Sequence, residues 1–167
     1  MKTKHVATFG MLIALAFILS YIETMIPVMV PVPGIKLGLA NLVVLVALYS
    51  MGFREAFLLS MIRIVLVGFT FGSLSTMLFS FAGGILSLSL MAVFQKSKLF
   101  SMTGISILGG LGHNIGQILV AMLVVQNLNL VYYLPILMVS GLITGTVVGL
   151  VGALIVRSLR KYQPLKE

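Results

Sequence analysis

Residues 133–156 read YLPILMVSGLITGTVVGLVGALIV, and the basic stretch Arg157-Ser-Leu-Arg160-Lys161 closes them. No charge interrupts the run, which exceeds the roughly 20 apolar residues a helix needs to cross the hydrocarbon core. Gly141, Gly145 and Gly149 recur at every fourth position, with Ser140 and Thr144 beside them. That spacing lines small side chains along one helix face, where a neighbouring helix can approach closely. The segment reads as a membrane helix packed inside a bundle. The rest of the chain agrees: of 167 residues, 60% are apolar and 8% charged, against about 25% charged in soluble domains. The expectation is an all-α membrane protein, one six-transmembrane-helix bundle filling residues 1–167 as a single domain.

Working back from that helix, the other predicted crossings are about Val6–Ile26, Leu37–Met51, Ala56–Phe69, Leu74–Phe94 and Met102–Val125. Lys2 and Lys4 before an apolar run resemble a signal peptide, but no small-x-small site follows, so the run is kept as the first helix. Pro27, Pro31 and Pro33 rule out a regular helix between the first two crossings, because each lacks an amide donor. That apolar, proline-stiffened loop suits a cap over a cavity better than a loop in water. The second helix is short, and is expected to be tilted or partly interfacial. Gly52-Phe-Arg54-Glu55 is predicted to be a tight turn, Gly68 and Gly72 bracket the next break, and Gln95-Lys-Ser-Lys98 is the most polar internal loop.

The eleven Lys and Arg residues test this topology. Lys2, Lys4, Arg54, Lys96, Lys98, Arg157, Arg160, Lys161 and Lys166 fall on one side, Lys36 on the other, and Arg63 within the membrane. Such sorting is the positive-inside signature, placing both termini in the cytoplasm of a multi-pass protein of the cell membrane. The net charge of +8 is thereby explained by topology. No aromatic-interleaved basic patch remains for nucleic acid.

Composition excludes much chemistry. The chain has no Cys and no Asp, and its only acids are Glu23, Glu55 and Glu167. His5 and His113 are too few for an ordinary zinc or di-iron site. The P-loop pattern is missing, so ATP hydrolysis would have to come from a partner. No nucleophile–base pair and no convergent carboxylates are identifiable, and the reading is of a non-enzyme without a cofactor or metal.

Polar groups at membrane depth carry more information, since each costs several kcal/mol, on the order of 3 for a charge, unless paired or hydrated. Arg63 is either a structural residue satisfied by neighbouring helices or a ligand contact. Glu23 is either an interfacial carboxylate in water or part of a site. His113, Asn114 and Gln117 share one helix turn beside glycines, and are read as lining a binding site. With Lys36 and Asn41 at the outer end, these residues sketch a pocket that opens outward. Tyr132 and Tyr133 are read as an interfacial belt. Ala7, Gly10 and Ala14 on the first helix form a small-residue stripe that could pack internally or receive a partner helix.

Three motifs carry a resemblance: Pro31-Val-Pro-Gly-Ile-Lys-Leu-Gly-Leu-Ala-Asn41, Gly52-Phe-Arg-Glu55, and Gly112-His-Asn-Ile-Gly-Gln117. Together they resemble the membrane family called Gx transporter, also catalogued as heptaprenyl diphosphate synthase component I. That family is similar to the S components of energy-coupling factor (ECF) transporters. The resemblance implies six helices, cytoplasmic termini, an outer ligand pocket under the loop between helices one and two, and a first-helix contact to a membrane coupling subunit driven by a pair of ATPases. The Gly10/Ala14 stripe matches the Ala-x-x-x-Ala coupling motif approximately. The synthase name cannot mean catalysis here, because prenyl diphosphate synthases of the usual kind hold Mg²⁺ through aspartates that this chain lacks.

Two readings follow. The first is a solute-binding S component taking up a small molecule, with flavin-, quinone- and isoprenoid-related compounds as the classes the name suggests. The alternative is a non-catalytic membrane scaffold for a prenyl diphosphate or quinone biosynthetic enzyme. A stand-alone transporter is disfavoured, since no inverted repeat or paired broken helices are evident.

Overall fold

The computed structural model describes residues 2–26 and 38–162. They form six α-helices: α1 (Lys2–Met25), α2 (Leu39–Ser50), α3 (Phe53–Thr70), α4 (Leu74–Ser97), α5 (Met102–Val125) and α6 (Leu134–Tyr162). A short 3₁₀ segment, Leu128–Tyr133, leads into α6. Four of the helices, α1, α4, α5 and α6, are long and apolar enough to cross a bilayer, and α2 is a shorter apolar helix. The chain is a multi-pass membrane protein.

Local chemistry sets the helix ends. Ser73 and Thr76 form a reciprocal capping box: the Ser73 Oγ accepts from the Thr76 amide at 3.2 Å, and the Thr76 Oγ accepts from the Ser73 amide at 2.8 Å. This satisfies donors that the first turn of α4 leaves open. The Ser101 Oγ does the same for the Gly104 amide at the start of α5. The predicted Gly52-Phe-Arg54-Glu55 turn is shorter than expected. Only Met51 and Gly52 lie between α2 and α3; Gly52 takes φ 114°, which its missing Cβ permits. Phe53, Arg54 and Glu55 already belong to the first turn of α3, where a carboxylate suits the positive end of the helix dipole. Likewise α4 continues through Gln95 and Lys96 to Ser97, and turns at Lys98 with φ 54°.

The short second helix, expected to be tilted or partly interfacial, lies among its neighbours. Val43 through Leu48 are all buried, and α2 packs against α1, α3 and α6. A helix that is apolar all round is buried either in protein or in a bilayer, and here neighbouring helices cover α2. Twelve residues suffice because α2 is the centre of the bundle's core. Leu45 from α2, Leu59 from α3, Leu88 from α4 and Ile105 from α5 are its largest fully buried side chains.

Helices α4, α5 and α6 form the tightest unit, through small residues. A Cβ added at Gly145 would lie 2.7 Å from the Ile107 Cα, and one at Gly149 would lie 2.6 Å from the Thr103 Cα. The glycine stripe of α6 thus faces α5, as internal packing. A Cβ at Gly116 would likewise lie 2.7 Å from the Ala82 carbonyl oxygen of α4. Close backbone approach of this kind holds membrane helices together where burial from water gives no driving force. On the outward faces, Leu123, Val139, Ile143, Val147 and Leu154 are exposed, as lipid contact requires.

Candidate functional site

All six helices contribute to one cavity of about 440 Å³. It lies toward the end of the bundle that holds the C-terminus of α1, the N-terminus of α2 and the α3–α4 turn. Helical periodicity explains its wall. Ser20, Glu23 and Thr24 stand at i, i+3 and i+4 on α1, and Gly110, His113 and Asn114 at the same spacing on α5. Arg63, Ile64, Val67 and Gly68 form one face of α3, and Thr76, Met77 and Ser80 one face of α4. Asn41 from α2, Thr144 from α6 and Phe71 complete the ring.

The structure therefore gathers Glu23, Asn41, Arg63, His113 and Asn114 around a single space. Gln117 is buried at 9% exposure but stands one turn beyond His113, outside the cavity wall. Its Oε1 is buried without a hydrogen-bond partner among the described residues. Lys36 and the proline segment, residues 27–37, lie outside the described residues; the flanking Ile26 and Gly38 both line the cavity.

Each polar group has its own positioning. The Glu23 Oε1 accepts the Gly38 backbone N–H at 2.5 Å, which fixes the carboxylate at the α1–α2 boundary. Glu23 thus has a protein partner as well as a place on the cavity wall. The Asn114 Nδ2 donates to the Leu137 carbonyl at 2.5 Å, so this side chain ties α5 to α6 while facing the cavity. His113 packs over Gly83, where a Cβ would come within 3.0 Å of the imidazole ring; only glycine leaves room for the ring.

Arg63 is the least satisfied of them. One terminal nitrogen donates to the Asn41 Oδ1 at 3.4 Å, at the long end for a hydrogen bond. Its Nε is buried without a partner among the described residues. No described carboxylate lies within ion-pair distance of it, the single described pair being His5–Glu55 at 3.9 Å. A cation so placed presents a fork of donors to whatever fills the space.

Sequence reasoning missed Ser20, Thr76, Ser80, Thr144 and Phe71. Serine and threonine in membrane helices usually bond their own backbone, as the Ser20 Oγ does to Ala16 at 2.8 Å and the Thr144 Oγ to Ser140 at 2.9 Å. Such residues carry no signal until the helix faces are known. Phe71 follows the last turn of α3 and stacks against Phe17 and Tyr21 of α1, with centroids 5.3 Å and 5.4 Å away.

The second feature lies on α1. Ala7, Gly10 and Ala14 are all exposed, and a Cβ added at Gly10 would meet nothing within 4 Å. This small-residue stripe packs against no other described helix. Its buried counterpart is the face carrying Ala16 and Ser20.

Against known proteins, the family model described as heptaprenyl diphosphate synthase component I matches residues 12–155, most of the chain. No curated protein and no solved structure matches the chain.

Proposed function

We propose, from the premise that the chain belongs to the heptaprenyl diphosphate synthase component I family, that it is the substrate-binding S component of an ECF-type transporter. In this reading all six helices cross the cell membrane and both termini face the cytoplasm. The cavity then opens outward to collect a small molecule. Its partners are a membrane coupling subunit and an ATPase pair. The observation that carries the reading is the cavity itself: a bundle-centred space of about 440 Å³ ringed by Glu23, Asn41, Arg63 and His113. Pockets of about 300–1,000 Å³ with a few convergent polar groups suit small molecules, whereas a scaffold needs none. The exposed Ala7, Gly10 and Ala14 give a coupling helix a place to approach closely.

A second reading has its own support. The family description names a component of a synthase, which favours a non-catalytic membrane partner of a prenyl diphosphate enzyme. One experiment separates the two. The tagged protein, drawn from native membranes in mild detergent, should bring with it a multi-pass subunit, two ATPases and a bound small molecule detectable by mass spectrometry. Capture of a prenyl synthase without ATPases or small molecule would decide for the scaffold. Full uptake by the purified protein alone in liposomes would end the S-component reading.

A further inference from the structure

Resting on the reading of the cavity as a solute pocket, we propose that its solute is a small polar molecule bearing a carboxylate or phosphate, whose oxyanion seats on Arg63, and not a prenyl chain. Three observations carry this.

First, Arg63 holds an unused donor. Its Nε is enclosed without a partner among the described residues, and its neighbouring terminal nitrogen makes only the 3.4 Å bond to Asn41. The two terminal nitrogens are the end of the side chain that can meet a solute in the cavity, and together they form a planar fork that matches two oxygens of one anion. Second, no described carboxylate pairs with this cation. Glu23 spends one carboxylate oxygen on the Gly38 amide and stays beyond ion-pair distance of Arg63. A charge at this depth costs several kcal/mol, on the order of 3, when it lacks a partner; an incoming anion relieves that cost where a neutral molecule does not. Third, the wall is wrong for an isoprenoid. More than half of the described lining residues carry polar side chains, and Ser20, Thr24, Thr76, Ser80 and Thr144 are spread over three helices. A prenyl tail would cover the Arg63 guanidinium and the Asn41 amide and return no hydrogen bonds. The hydroxyls and His113 suit a solute with several donors and acceptors behind its anionic end.

The test uses the purified full chain in detergent and follows its thermal unfolding with inorganic phosphate, succinate or farnesol, each against potassium chloride at equal ionic strength. Phosphate or succinate should raise the wild-type midpoint by about 3–6 °C at ten times its dissociation constant, and whichever acts more strongly identifies the oxyanion. Arg63→Gln should abolish the rise. Arg63→Lys keeps the charge but loses the fork, and should weaken apparent affinity about tenfold; it carries the comparison if Arg63→Gln does not give a monodisperse protein. An equal rise in wild type and both variants, or no rise with either oxyanion, overturns the proposal. The pocket reading is scored separately. Stabilisation by farnesol alone would keep a solute pocket and refute its assigned chemistry. Silence with all three probes, in a protein that also purifies without any small molecule, would remove both.

Discussion

Glu23 and Gly38 meet across the junction of the first two helices: the Glu23 Oε1 accepts the Gly38 backbone N–H at 2.5 Å. The bond spans fifteen positions of sequence and joins the C-terminal end of α1 to the residue that precedes α2. Gly38 holds φ 74°, a left-handed conformation that costs other residues about 1–2 kcal/mol. Glu23→Gln keeps an acceptor at the same place and should fold normally. Glu23→Leu leaves the amide unmatched and should lose about 1.5–3 kcal/mol, and Gly38→Ala about 1–2 kcal/mol. Thermal midpoints in one detergent would rank them; equal stability of Glu23→Leu and wild type would show that the bond does not hold the two helices together.

The α5–α6 interface should be the most sensitive surface to added volume. A Cβ at Gly149 would press within 2.6 Å of the Thr103 Cα, and no flexible side chain stands there to move aside. Gly149→Leu should therefore destabilise the bundle by at least about 1–3 kcal/mol, seen as a lower midpoint and aggregation on size exclusion. A stable, monodisperse Gly149→Leu protein would contradict the close approach of these helices.

Asn114 links the site to the scaffold. Its amide donates to the Leu137 carbonyl, and interhelical bonds of this type in membranes are worth about 0.6–2 kcal/mol. Asn114→Ala should lower stability by that amount while leaving Arg63 and Glu23 in place. Unchanged stability would reassign Asn114 to the pocket alone.

The helix count, the breaks and the packing stripe of α6 were legible in the sequence, because uncharged runs and four-residue glycine spacing report directly on membrane helices. The role of α2 was not. Its twelve residues are apolar on every side, which fits both a tilted interfacial helix and a central one, and only its neighbours decide. The site was legible where a side chain was costly at depth, as for Arg63 and His113. It was illegible where hydroxyls bond their own helix, as for Ser20 and Thr144. Gln117 shows the limit of shared-face reasoning: i, i+4 spacing from His113 put it on the same side of α5, yet the cavity wall ends one turn short of it.

The proposed orientation makes a labelling prediction. Lysines and arginines concentrate at one end of the six-helix arrangement, placing the α4–α5 turn in the cytoplasm and the segment before α6 outside. Ser97, the last residue of α4, and Asn127 are both exposed and sit beside these two turns. In a chain without cysteine, Ser97→Cys should resist an impermeant thiol reagent in intact cells, and Asn127→Cys should react. The reverse pattern would invert the topology, and equal reaction at both would break it.

The stripe on α1 separates folding from coupling. Gly10 has open space where a side chain would go, and Ala7 and Ala14 are exposed on either side of it. Enlarging these residues should therefore change stability little, within about 0.5 kcal/mol as for ordinary surface substitutions. The contrast with Gly149, whose Cβ position is already occupied by the α5 backbone, is the internal control. If the stripe receives a coupling helix, Gly10→Leu combined with Ala14→Leu should abolish co-purification of the coupling subunit and stop uptake in whole cells. Binding of a solute by the isolated variant should stay within about twofold of wild type, since no residue of the cavity wall comes from this part of α1. A variant that still assembles and transports would leave α1 facing lipid. One that loses stability as Gly149→Leu does would place an unseen partner of the fold against that face.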